Sequence, residues 1–256
     1  MFHTLLLYNA AFFTAAFFLY GETPSVTFKV GIVDAVDLSI KDKFDPFPID
    51  VNTTLTPDLL IATGSNGRVE SNVNGIYWRL GCETMGKWNS NTDFYLDSGS
   101  LLFCNSNDNH IKFSTRESNA TFYGHGTIII EATKNGGFKF IPLEGKGYIE
   151  TQKGGSKKIV GGRMLLCLGN PSYFGDAYDI DLMLMIKTSR LLNLFPDPLP
   201  SFGRISLAIY AQQLKLKGKY NALIGDAPTK DKLQMWKFGT PDEESKSKSF
   251  FRKLFN

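Results

Sequence analysis

The chain has 256 residues, 43% hydrophobic and 21% charged, enough to bury a substantial core in one long domain and too apolar for a disordered chain. A net charge of +3, with no Lys/Arg-rich patch interleaved with aromatics in the body of the chain, excludes nucleic acid as the expected partner. The 21 Phe fall largely in strand-like runs, where large rings fill the interior of a β structure.

Residues 5–20 are almost continuously apolar, interrupted by Asn9 and Thr14 and ended by Gly21-Glu22-Thr23-Pro24. This is the length of a signal-peptide hydrophobic region and short of the roughly 20 apolar residues a bilayer span needs. Residues 1–21 are therefore expected to be a signal peptide or N-terminal anchor; a buried N-terminal helix is the alternative. Strand-like sequence follows from residue 25. Val26, Phe28, Val30 and Ile32 alternate with polar or small residues, and Val36, Leu38 and Ile40 begin a second strand. Residues 41–58, with three prolines and many Asp and Asn, read as a loop. Residues 59–63 form a short strand ending at Gly64-Ser65-Asn66-Gly67, and 69–73 and 76–80 pair across Asn74-Gly75, a type I′ hairpin signature.

Short strands continue at 94–96, 100–104 and 111–115, the last two separated by a polar turn over residues 105–109. Residues 120–123 lead into a central hairpin whose arms, 127–133 and 138–143, flank Asn135-Gly136-Gly137. Ile128 and Ile130 share one face of it and Ile129 the other, so the ribbon is expected to be covered on both sides. Glu144-Gly145 marks a break before a strand at Tyr148 and Ile149, and 157–160 and 164–168 follow, separated by Gly161-Gly162. This spacing, with no room for crossover helices, predicts a mainly β fold over residues 25–170. The architecture is a multi-stranded antiparallel sandwich or a short twisted solenoid-like domain.

Beyond Pro171 the period changes. Leu182, Met183, Ile186, Arg190 and Leu194 lie at helical offsets over 179–194, with Asp179 or Asp181 as N-cap and Pro196 as the stop. The proline-rich segment 196–200 is a rigid connector. Ser201 is placed to cap a second helix carrying Phe202, Ile205, Ile209 and Leu216. A helical hairpin over 177–217 results, which must pack on an open face of the β domain or on a partner; the rarity of large exposed apolar patches favours the sheet. Residues 218–256 read as a flexible basic tail.

Several segments in order carry a family resemblance. Ile61-Ala62-Thr63-Gly64, Gly67-Arg68-Val69-Glu70, Arg79-Leu80-Gly81 with Thr84, and Leu96 with Ser98-Gly99-Ser100-Leu101-Leu102-Phe103 resemble successive parts of a FecR-like domain. So do residues 124–127, Leu143-Glu144-Gly145 and Gly162-Arg163-Met164, and the similarity covers roughly residues 25–168. The resemblance implies an extracytoplasmic all-β module, best known as the sensing half of envelope proteins that relay a signal from an outer-membrane transporter to a sigma factor. Such modules bind proteins and are not known for catalysis. The chain is expected to depart from that arrangement, with no anti-sigma domain ahead of the module and no spanning helix, and looks more like stand-alone exported FecR-like proteins. His125 stands where a Thr is more usual, so no family site is carried onto it.

Chemistry-bearing residues are sparse. Of the three His, His3 lies in the apolar leader and His110 in a polar turn, and neither His110 nor His125 neighbours a G-x-S-x-G motif. Cys82, Cys104 and Cys167 are isolated, never paired as C-x-x-C, so no metal site is expected. They are core residues, or two of the three form a disulfide. The oxygens of residues 105–109 lack the Gly and terminal Glu of a calcium loop and read as a solvated turn. No catalytic, cofactor or metal residue is assigned. The expected function is a non-enzymatic, periplasmic or otherwise extracytoplasmic protein-binding or signal-relay module of the bacterial envelope. Its partner would be another envelope protein, engaged by strand addition at a sheet edge or by the helical hairpin. Membrane association is expected, if anywhere, through residues 5–20 or the basic C-terminal tail. The alternative is a structural or glycan-binding surface protein using Tyr77, Trp78, Trp88 and Tyr95 as an aromatic platform, although their place in strands favours core use.

Overall fold

Alternation of apolar and polar residues, punctuated by glycine and asparagine, produces strands almost throughout. In the computed structural model, which describes residues 23–40, 45–223 and 236–237, the first eight are β1 (Val26–Val30), β2 (Val33–Asp37), β3 (Phe47–Pro48), β4 (Leu59–Thr63), β5 (Arg68–Val73), β6 (Ile76–Leu80), β7 (Met85–Ser90) and β8 (Asp93–Ser98). Three long strands follow, β9 (Ser100–Ser114), β10 (Asn119–Ala132) and β11 (Phe138–Thr151). Then come β12 (Gly155–Lys158), β13 (Arg163–Leu168), β14 (Tyr173–Phe174) and β15 (Tyr178–Asp179). The helices are α1 (Leu182–Thr188), α2 (Arg190–Asn193) and α3 (Phe202–Leu216), and β16 (Ala222–Leu223) pairs with β17 (Trp236–Lys237). The fold is mainly β with its helices near the C-terminus, as the spacing predicts.

Strands β1 to β15 form one hydrogen-bonded sheet that folds over on itself. The fold-over is visible in the pairing of β9. Its first half, up to Asn105, pairs with β6, which continues to β5 and β1, whereas Lys112–Ser114 pairs with β8, which continues to β7, β4, β2 and β3. Residues from both branches share one core: Val69, Trp78 and Leu80 on one side, Ala35, Ile61, Trp88 and Phe94 on the other. Trp78 meets Phe94 at 5.8 Å and Trp88 at 6.5 Å between ring centroids. The β domain is therefore a sandwich and not a solenoid. Its pairing is antiparallel except where β8 runs parallel to β9.

A second core lies on the outer face of the β6–β9–β10–β11–β13 layer, where Leu102, Cys104, Ile129, Ile141 and Met164 meet Leu182, Met185, Leu191, Ile205 and Ile209 of the helices. The central ribbon is thus covered on both sides: Ile128 and Ile130 face the inter-sheet core, Ile129 the helices. Buried polar groups dock the helical layer. Arg79 pairs with Glu70 at 2.7 Å and donates to the carbonyls of Leu191 (3.2 Å) and Asp197 (2.5 Å), its guanidinium lying over the Phe195 ring. Gln212 accepts from Leu182 N–H (3.1 Å) and donates to Ile180 C=O (2.7 Å).

Several local expectations change. The helix expected over 179–194 is two short helices broken at Ser189, with Asp181 capping the first by accepting from Leu184 N–H at 3.1 Å, while Tyr178–Asp179 is strand. Ser201 precedes α3 without capping it, because its Oγ bonds to the Thr127 hydroxyl at 2.5 Å instead. The polar turn at 105–109 and the break at Glu144-Gly145 are both interior to long strands. β7 has no strand-like alternation in sequence because its inward positions are Gly86 and Trp88, and the Phe94 ring lies over Gly86. Cys82, Cys104 and Cys167 are all free and buried. The apolar residues 5–20 and the basic residues 246–255 lie outside the described residues, and no described helix is long and apolar enough to cross a membrane.

Candidate functional site

The helices cover one outer face of the sandwich; on the opposite layer the outward residues of β8 to β12 meet solvent. Register places His110, Tyr123, Tyr148 and Lys158 side by side across β9, β10, β11 and β12. The Tyr123 and Tyr148 rings stack at 4.9 Å and 19°, and His110 lies 6.4 Å from Tyr123. One row further along are Lys112, Thr121, Glu150 and Ser156.

This row ends at a crease. Gly124 faces Gly147 and Gly126 faces Gly145, with φ of 131°, 139°, 156° and 138°, conformations closed to most side chains. A Cβ on Gly124 would lie 2.1 Å from the Lys146 carbonyl oxygen and one on Gly147 2.0 Å from that of Tyr123. The two strands approach too closely there for any other residue. β9 answers the crease with a bulge: its pairing jumps from Asn109 opposite Gly124 to Asn105 opposite Gly126, so Ser106, Asn107 and Asp108 project. Asn105 holds the bulge, donating from Nδ2 to Gly124 C=O (3.0 Å) and accepting from Asn107 N–H (3.2 Å). Its amide is spent on the backbone, as a structural turn requires.

The crease and bulge bound an open groove of about 380 Å³ lined by Asp108, Asn109, His110, Tyr123, Gly124, Lys146, Gly147 and Tyr148. At its rim Asp108 Oδ1 and His125 Nδ1 are 2.7 Å apart. The pair has the form of the orienting half of a catalytic triad, but the groove lining contains no Ser, Thr or Cys to complete it. The thiols are elsewhere: Cys104 beneath the helices, and Cys167 between the sheets, where burial pushes its pKa up to about 12. Among the described residues no three His, Cys, Asp or Glu come together as a metal site. What the groove offers is recognition chemistry. Phenol hydroxyls, an imidazole and the Lys146 ammonium can donate, and Asp108 and Asn109 can accept.

The same face carries Tyr95 and Asp97 on β8. Arg116 donates from Nε and Nη2 to Asp97 at 2.8 and 2.6 Å and holds that carboxyl below its usual range. Desolvation, then the hydrogen bond to Asp97, raises the Tyr95 phenol.

The aromatic platform that the glycan-binding alternative needs at Tyr77, Trp78, Trp88 and Tyr95 does not exist, and the two tryptophans serve the core that their strand positions favour. Trp78 and Trp88 are fully buried between the sheets and Tyr77 packs on the helix-side core, because β6 and β7 turn those positions inward. The exposed aromatic row is Tyr123–Tyr148. Its members sit on strands whose continuity through the glycines was not legible as a motif; the alternation Tyr123-x-His125 and Lys146-x-Tyr148 was the signal available. His110, expected in a turn, is on β9 within the groove, and His125 is brought to Asp108.

No protein-family model matches the chain, and no curated protein matches it. Two crystal structures of a "putative anti-sigma factor" from Parabacteroides distasonis ATCC 8503, at 1.65 and 2.50 Å resolution, are similar to it over 45% of this chain, at 10% identity and a TM-score of 0.37. The overlap spans 57% of that protein, little more than half its length.

Proposed function

We propose that this chain is a non-enzymatic, extracytoplasmic protein-binding module of the signal-relay type, which meets an envelope partner on the open sheet face around the creased groove. The observation that carries the reading is the groove itself: a glycine-creased ribbon presents two tyrosines, His110, Lys146 and Asp108 to solvent, with no Ser, Thr or Cys in its lining to complete the Asp108–His125 pair. The FecR-like order of segments supports the choice of partner class, and the apolar residues 5–20 support placement outside the cytoplasm. The inner face of the helical layer is already spent on the sandwich, whereas the groove face on the opposite layer is open among the described residues.

A photo-crosslinking residue at Tyr148, compared with one at exposed Tyr173 on the far side of β13, tests this in cells that express the full chain. A discrete adduct from position 148, absent from 173 and weakened by Tyr123→Ala, is the expected result. Equal adducts from both positions, or substrate turnover abolished by His125→Ala, ends the proposal.

A further inference from the structure

Helix α3 is apolar on two sides. Ile205 and Ile209 face the second core, as the periodicity requires, and Gln212 is buried on the same side, where its amide is bonded to Leu182 N–H and Ile180 C=O. The opposite side bears Gly203, Leu207, Tyr210, Ala211 and Leu214, one continuous stripe at helical spacing. Leu207 is 69% exposed, Tyr210 63% and Leu214 61%. A helix apolar on both sides is ordinarily covered on both. Nothing among the described residues covers this one.

Charge decides what does. From Pro198 to Leu223 there is no acidic residue, while Arg204, Lys215, Lys217 and Lys219 border the stripe or follow it. Arg204 is answered by Glu144 at 3.1 Å, which leaves three lysines at the C-terminal end of the helix facing outward. A second copy docking here would bring two such cationic helices together with no carboxylate on either. The chain's own basic residues 246–253 would meet the same repulsion, and the acidic run 242–244 ahead of them has no large apolar residue beside it to cover the stripe. A planar surface of negative charge with an apolar interior satisfies both features at once. Leucines and a tyrosine enter the boundary of the acyl region while lysines lie among the headgroups. The helix is about 22 Å long at 1.5 Å per residue and lies along the outside of the sandwich, so it can rest flat on such a surface.

We infer that the outer face of α3 docks on an anionic lipid bilayer, with Leu207, Tyr210 and Leu214 entering the interface and Lys215, Lys217 and Lys219 contacting the headgroups. The groove lies on the opposite sheet layer, so a module held in this way points its recognition face away from the lipid. The inference rests on α3 alone and stands whether or not the groove binds a protein.

The test is co-sedimentation of the full chain with vesicles of phosphatidylglycerol and phosphatidylcholine, against vesicles of phosphatidylcholine alone. Binding to the anionic vesicles is expected to weaken by more than about tenfold in Leu207→Glu/Leu214→Glu, whose positions are exposed and whose unfolding midpoint should match the parent. At roughly fivefold per surface lysine, Lys215→Gln/Lys217→Gln/Lys219→Gln is expected to lose about a hundredfold. As an independent measure, Tyr210→Trp should show added fluorescence that brominated lipid quenches. Unchanged binding by the leucine variant would overturn the inference and assign the contact to residues 5–20 or the tail. Equal binding to neutral vesicles, no quenching at position 210, or a dimer in solution that the leucine variant dissolves would overturn it as well.

Discussion

At the scale of single residues, Arg79 shows how a buried charge is made tolerable. Every direction of its guanidinium is occupied: Glu70, two carbonyls of the helical layer, and the face of Phe195, itself packed on Phe28 of β1. Arg79→Met strands the Glu70 carboxylate and should cost about 3–5 kcal/mol, read from denaturant unfolding. Arg79→Met/Glu70→Leu should recover most of that loss, because no unpaired charge stays buried. Asp97 makes a pH prediction. Its folded pKa lies below the unfolded value of about 3.9, so the stabilisation from Arg116 is complete above that value. It disappears as pH falls through the depressed folded value. Arg116→Met should therefore lower the melting temperature at neutral pH and flatten its acid-side fall; equal slopes in the two proteins would contradict the assignment.

Among the elements, the glycine crease turns a long ribbon into part of two layers. β9, β10 and β11 each run through it, contributing to the helix-covered layer at one end and to the open layer at the other. Adding a side chain there forces both a strained φ and a backbone clash. Gly124→Ala or Gly147→Ala should cost about 2 kcal/mol or more. Gly203→Ala is the contrasting case: it lies within α3 with nothing within 4 Å of an added Cβ, and should stabilise by about 0.5–1 kcal/mol through helix propensity. Chemical denaturation of the three variants side by side checks both signs.

For the whole molecule, the two cores make a layered order of opening. Cys82 lies near the surface, Cys104 under the helices and Cys167 between the sheets. If the helical layer lifts before the sandwich opens, pulse labelling of thiols in mild denaturant should modify Cys82 first, then Cys104, and Cys167 last. In the absence of denaturant Cys167 should stay unlabelled, since burial keeps it protonated far above neutral pH. Simultaneous labelling of Cys104 and Cys167 would show that the layers open together.

Much of the fold is legible from local sequence because it is locally decided. Asn74 and Gly75 both take the positive φ that a type I′ turn demands, at 51° and 74°. Alternation in the central ribbon marks two buried faces, Pro196 closes the first helical segment, and the stripe of Ile205 and Ile209 picks out the inner side of α3. The groove was not legible in the same way. Gly124, Gly126, Gly145 and Gly147 look like strand breaks until they are seen facing one another. Which side chains become neighbours across strands depends on register, bulges and the closing of the sheet, and those are settled by contacts between residues far apart in the chain. Sequence thus determined the ribbons and their buried faces, while only tertiary structure decided that two tyrosines, two histidines and a lysine meet at one crease.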